Sequence, residues 1–447
     1  MLRSSPIFRF GARPISALVV VLATAFTGIP FGGAEGQETR TSLEEFVDGF
    51  PFELSVAARE ASLPVLLSGG DEAAYFNVRA SEFLPTAILP PRQPPMTLGE
   101  NLMPEIGEIS AETINFGTMT LDEYLAMPES YVQGLIVVHE GQIVFEQYPR
   151  MRPSDHHLWM SNAKVTTSLV IDLLINDGLI DENETLSHYI PEFVGTPTGD
   201  VTVRQALDMT TGLNNDENPE TRADPNSIAL RTFSAEFGFP HEGEVELLID
   251  VLRDAEVSIG ADTAFQYASA STQLLVYLAE AVTQQRWADI FNERVWSHIG
   301  AEAPLQVHLT PDGIAVGHGL VSSNLRDMAR FGMLYTPSWE TIATEQVVND
   351  RIIQRIRDSV RSEEFFLGAY NGPVFQFLFN DDTMLSNSRQ WDIVWPDGDM
   401  WKGGLMAQGL YVSPDRDLVI AYFSVNVPDR SIDRFLRPIA TSDLLNQ

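Results

Sequence analysis

Trp159-Met-Ser-Asn-Ala-Lys164 opens the stretch that decides the reading of this chain, because a long apolar run follows it: Val165, Leu169, Val170, Leu173, Leu174 and Leu179. Apolar residues almost all round predict a central, buried helix. Asp177-Gly178 is its stop signal. Residues three apart share a helix face, so Ser161 and Lys164 meet across one turn. A serine hydroxyl is a poor nucleophile until a neighbouring base takes its proton. A desolvated lysine can be that base, since burial favours the neutral amine. The positive end of the helix dipole would favour a developing alkoxide at Ser161.

The lysine count sharpens this reading. The 447 residues hold 28 Lys and Arg together, and only Lys164 and Lys402 are lysines. Arginine serves equally well as a surface charge but does not give up its proton, so a chain that keeps an amine at two places marks both as candidates for chemistry. Lys402 lies in Trp401-Lys-Gly-Gly-Leu-Met-Ala-Gln-Gly409. Glycines here let a substrate approach the backbone, whose N–H groups could hold an oxyanion.

On either side of the opening stretch the pattern alternates between strands and helices. Residues 121–127 suit a short helix; 132–139 and 142–148 read as strands joined at Glu140-Gly141. From 181 to about 285 the chain reads as a helical, loop-rich insertion, with helices at 203–209, 245–254 and from Phe265-Gln-Tyr-Ala-Ser269 through Val282. Further helices are expected at 286–299 and 325–334. Residues 410–413 and 418–425 are strands turning at Pro414-Asp415, and 431–445 is a closing helix. Strands near both ends with helices between predict an α/β (α+β) fold, one antiparallel sheet assembled from the two ends and flanked by helices.

Ahead of this domain, taken as 119–447, residues 37–118 read as an N-terminal extension that could cap the site or bind a partner. Its Leu89-Pro-Pro-Arg-Gln-Pro-Pro-Met96 is an extended connector. Arg3, Arg9 and Arg13, the apolar run 15–26 and the small residues 32–36 read as a cleavable signal peptide over 1–36, which predicts a periplasmic or secreted protein without stable membrane insertion. An uncleaved anchor is the alternative. The net charge is −34. Removing residues 1–36 takes away three arginines and one glutamate, which leaves −36. Such a surface repels nucleic acid and anionic membrane. With no cysteine, disulfides and thiolate metal sites are excluded. His156-His157 are adjacent, do not share a helix face and lack a third ligand, so no metal and no cofactor is expected. No G-x-S-x-G, H-E-x-x-H or phosphate loop occurs.

Ser161-x-x-Lys164, Tyr267-x-Ser269 and Lys402-Gly-Gly404 together resemble the three motifs of the serine β-lactamase and penicillin-binding-protein superfamily, nearest its class C branch with S-x-x-K, Y-x-N and K-T-G. Thr202-Val-Arg-Gln-Ala-Leu-Asp-Met-Thr-Thr-Gly-Leu213 and His318-Gly-Leu-Val-Ser-Ser-Asn-Leu-Arg-Asp-Met-Ala-Arg-Phe-Gly332 are similar to joining segments of that superfamily. Gly404-Leu-Met-Ala-Gln-Gly-Leu-Tyr-Val-Ser-Pro414 resembles the end of the 6-aminohexanoate-dimer hydrolases. The resemblance implies a β-lactamase-like fold over 120–447 and an acyl-enzyme on Ser161. Lys164 would take the proton and Tyr267 would relay protons. Lys402 would lower the tyrosine pKa and meet substrate charge. The N–H groups of Ser161 and Leu405, beside Gly404, would hold the oxyanion, and His318 could line the site. Ser269 in place of Asn and Gly403 in place of Thr favour small esters or linear amides over β-lactams. A β-lactamase or D,D-peptidase, and a non-catalytic binding relative, remain the alternatives, and the oligomeric state is not legible.

Overall fold

The computed structural model describes residues 49–92, 94–380 and 385–445. The leader read over 1–36 therefore lies outside the described residues. An eight-stranded sheet organises the molecule. Its order runs Ser386–Ser388, Trp391–Val394, Met400–Gly404, Gln408–Ser413, Leu418–Ser424, Val132–His139, Gln142–Gln147, Gly99–Glu100. Every pairing is antiparallel except the last, where Gly99 lies beside Gln142. Leu418–Ser424 pairs with Gln408–Ser413 on one side and Val132–His139 on the other, so the two ends of the domain meet there, as the alternating segments predict.

Both faces are buried, and side chains alternate between two cores with the strand period of two. Ile136, Val138, Val419, Ala421 and Leu410 point into the larger core with the helices. Leu135, Val137, Leu418, Ile420 and Tyr411 point into the other, closed by Asp433–Ala440. Each Leu, Ile or Val among them contributes about 1.5–3 kcal/mol of burial free energy. Gly332, in the helix Leu325–Met333, lets that helix lie against the sheet: a Cβ there would stand 2.7 Å from Val419 Cγ1.

The helix Lys164–Asn176 crosses the larger core, with ten of its thirteen residues buried. It ends as predicted: Gly178 takes a left-handed φ of 73°, and Leu179 N–H reaches back to Leu174 O (3.0 Å), closing a Schellman turn. Every named element of the expected insertion, from Leu186–Tyr189 to Ser269–Thr283, is a helix, with loops between them. Thr202 and Gln205 form a capping box on Val203–Leu207, which stabilises that start by about 1 kcal/mol. Three helices are clearly shorter than expected, Leu248–Arg253, Trp287–Arg294 and Asp433–Ala440.

Residues 49–118 do not stand apart. Phe52–Glu60, Leu63–Leu66 and Asp71–Val78 are helices whose Leu54, Leu66, Tyr75 and Phe76 share a third core with Met160, Leu320, Met406 and Val425. Thr86–Leu89 pairs with Leu305–His308 in a second, four-stranded sheet, and Ser110–Glu112 pairs with Thr118–Thr120. The expected boundary at 118 thus cuts through paired strands. Among the described residues no helix is long and apolar enough to cross a membrane.

Candidate active site

Ser161 stands in a 3-10 turn, Met160–Ala163, immediately before the buried helix. Met160 holds a positive φ of 49°. Such backbone in a non-glycine residue costs roughly 1 kcal/mol or more and is commonly stored at functional sites. Gly404 presses on this turn from the sheet. A Cβ at 404 would lie 2.9 Å from Trp159 O and 3.0 Å from Asn162 Nδ2, so no side chain fits. After Gly404 the chain reverses through Met406 and Ala407, both with positive φ (64° and 61°), which sets Leu405 at the rim of the turn carrying Ser161.

Lys164 is fully buried, and its Nζ lies 2.9 Å from Ser161 Oγ, 2.9 Å from Ser269 Oγ and 3.1 Å from His318 O. Burial, helped by the nearby charge of Lys402, lowers the amine from its ordinary 10.5 to about 7. The departure at 269 therefore keeps the contact that matters, since a serine hydroxyl meets the base. Ser269 N–H donates to Glu217 Oε1 (2.7 Å), and Glu217 pairs with Arg222 (2.6 Å). Burial opposes ionisation of Glu217, but Arg222, Lys164 and the Ser269 amide outweigh it and hold the acid at about 2. His318 places its carbonyl on the base and donates from Nε2 to the buried Glu236 (2.5 Å). Glu217, Arg222, Phe233, Glu236, Ser269 and His318 line a cavity of about 60 Å³ beside the base.

Tyr267 is buried between the two lysines, with Lys164 Nζ 5.0 Å and Lys402 Nζ 4.7 Å from its ring centre. The expectation that Lys402 lowers this phenol is corrected by the geometry. Burial, then Asp392 and Glu217, push Tyr267 well above 10, and a hydrogen bond with Ser161 only partly opposes them. Lys402 Nζ sits 2.5 Å from Asp392 Oδ1, both side chains almost wholly buried, so its charge is already matched. Gly403 also has a physical reason: a Cβ there would fall 2.4 Å from the Trp401 ring.

Thus Ser161, Lys164, Tyr267, Ser269, His318 and Lys402 converge on one place, with Gly404 against the serine turn and Leu405, next in the chain, packed against the core that holds Met160. His156 and His157 lie elsewhere, held by Pro304 O, Gln133 and Leu158 O. Among the described residues no cluster could hold a metal ion. Sequence reasoning missed Asp392, Glu217 and Glu236. An acid inside the apolar Trp391-Asp-Ile-Val394 was a readable signal; Glu217, in a polar loop, gave none.

A partly exposed serine beside a buried lysine at a helix start, faced by a tyrosine and a lysine-bearing strand, defines the class, and the chain belongs to the Beta-lactamase family, whose model matches residues 130–438. The 6-aminohexanoate-dimer hydrolase of Paenarthrobacter ureafaciens is 25% identical over 353 residues, 77% of this chain and 83% of that one. A Bacillus anthracis structure with a proposed assignment to the same hydrolase superposes with a TM-score of 0.69 at 23% identity, covering 84% of this chain and 94% of its own. EstCE1, a hydrolase with promiscuous acyltransferase activity, shares the fold at a TM-score of 0.52 and 13% identity, over 72% and 97% of the two chains. These relatives, hydrolases of one fold, support a hydrolytic reaction for this chain.

Proposed function

We propose that this protein is a secreted serine hydrolase that cleaves a carboxylic ester or linear amide through an acyl-enzyme on Ser161. One observation carries the reading: a lysine lowered to about 7 lies 2.9 Å from the serine hydroxyl. Neutral Lys164 takes the Ser161 proton as Oγ attacks the substrate carbonyl. The oxyanion so formed faces the N–H groups of Ser161 and Leu405, each such donor contributing about 3–4 kcal/mol in comparable sites. Tyr267, kept protonated by its burial, passes a proton to the departing alcohol or amine and is reprotonated with the proton that Lys164 took from Ser161, which returns Lys164 to its neutral form. Water then attacks the acyl group with Lys164 again as base, and the carboxylic acid leaves. Secretion is supported by the leader pattern of residues 1–36, and the relatives' amide substrate supports the amide alternative.

Cleavage of β-lactams is the second reading, favoured by the family and the intact serine–lysine pair; Gly403 and the matched Lys402 weigh against it. The test is the intact mass of the purified protein after a fluorophosphonate probe. One adduct on the wild type and none on Ser161→Ala, with both proteins folded by circular dichroism, is the expected result. No adduct on either would turn the reading to a non-catalytic relative of the fold. Nitrocefin turnover or a stable penicillin adduct would bring the second reading forward.

A further inference from the structure

Lys402 and Asp392 occupy neighbouring strands. Ile393 pairs with Trp401 and Val394 with Met400, so one step along this register Asp392 faces Lys402. One carboxylate oxygen meets Nζ at 2.5 Å and the other accepts the Gly403 N–H at 3.1 Å. Wherever the shared proton resides, the pair as a whole has no net charge. The other cations beside the site are matched as well: Arg222 by Glu217 (2.6 Å) and Arg430 by Asp433 (2.9 Å). Gly403 supplies no hydroxyl next to Lys402, because the Trp401 ring occupies that space. The strand flanking the reacting carbonyl therefore offers an anion neither a free cation nor a side-chain donor, and the net charge of −34 repels anions at longer range.

We infer that Asp392 sets the charge class of the substrate: by holding Lys402 in a neutral pair, it restricts the site to acyl groups that carry no carboxylate near the scissile bond. This rests on the hydrolase reading. Asp392 acts through Lys402 and is a specificity-determining residue; it touches no reacting atom.

The test uses two p-nitrophenyl esters of matched length, the valerate and the monoester of glutarate, which differ by a terminal carboxylate. Wild type is expected to prefer the valerate by about tenfold or more in kcat/KM. Asp392→Asn leaves the Lys402 charge unmatched and is expected to shift the ratio about tenfold towards the glutarate, through KM of the charged ester. The double variant Asp392→Asn/Lys402→Met, with neither charge, should return the ratio to the wild-type side. A ratio taken on one preparation is independent of the folded fraction, and the wild-type ratio alone decides if the single variant fails to fold. Equal handling of the two esters by wild type, or an unchanged ratio in a folded Asp392→Asn, overturns the inference. Fluorophosphonate labelling of the same preparation separates the two readings. An adduct with no ester preference sinks the charge-class assignment alone, while no adduct sinks the hydrolase reading with it.

Discussion

Acidifying the enzyme should switch it off by protonating Lys164, and the midpoint of that loss is fixed by the structure. The base works only when neutral. At about 7 it is half neutral at neutral pH, whereas a lysine at its ordinary 10.5 would be neutral about once in 3,000 molecules. Burial thus raises the usable base by roughly a thousandfold, equivalent to about 4–5 kcal/mol. Because the folded-state value is lowered, the sign is unambiguous: kcat/KM for a p-nitrophenyl ester is low at about pH 5, rises tenfold per pH unit, and levels off above about 7. Lys164→Arg keeps a cation that cannot give up its proton, and should lower kcat/KM by about a thousandfold or more without restoring the limb at any accessible pH. A flat profile between about pH 5 and 9, an acid limb near 4 typical of a carboxylate base, or an arginine variant retaining a tenth of the activity would refute the lysine as base.

Two further substitutions probe the frame around the site. Arg389 is buried and bonds both Asp172, in the helix that carries Lys164, and Glu182 (2.6 Å each), so Arg389→Ala should cost about 3–5 kcal/mol in urea denaturation; a loss below about 1 kcal/mol would mean that water replaces it. Gly404→Ala forces a methyl against Trp159 O and Asn162, and should lower kcat/KM by about tenfold to a hundredfold with a stability loss of only about 1–3 kcal/mol; unchanged kinetics would show that the strand does not set the serine turn.

How much of this was legible depended on local pattern. The hairpin at Val132–Gln147 and the helix after Ser161 were readable because their periods of two and all-round apolarity are local properties. The strands Ser386–Ser388 and Trp391–Val394 were not read. They are three and four residues long, and the buried Asn387 and Asp392 within them, with buried Arg389 in the turn between, break any apolar alternation. Their polar groups are satisfied by partners far along the chain, such as Asp208 O for Asn387 and Asp172 for Arg389, which no window of sequence contains. For the same reason Lys164 and Lys402 stood out as candidates, while the acids that tune them, Glu217 and Asp392, needed the fold. The segment 49–118 misled by its proline-rich connector: its helices bury their apolar side against Met160 and Met406, which sequence alone does not place.

The strand Leu418–Ser424 lies between Gln408–Ser413 and Val132–His139 and is made long after Val132–His139. A growing chain that has emitted Ser161 and Lys164 still lacks the partner of its own N-terminal hairpin, and lacks the strand that brings Gly404 and Leu405 to the serine. Assembly of the site therefore waits until residues 400–424 have been made, and such long-range pairing is slow. Until then the polypeptide carries its nucleophile chemically silent. Activity then marks a chain folded through Ser424, which makes acylation of Ser161 a direct reporter of folding.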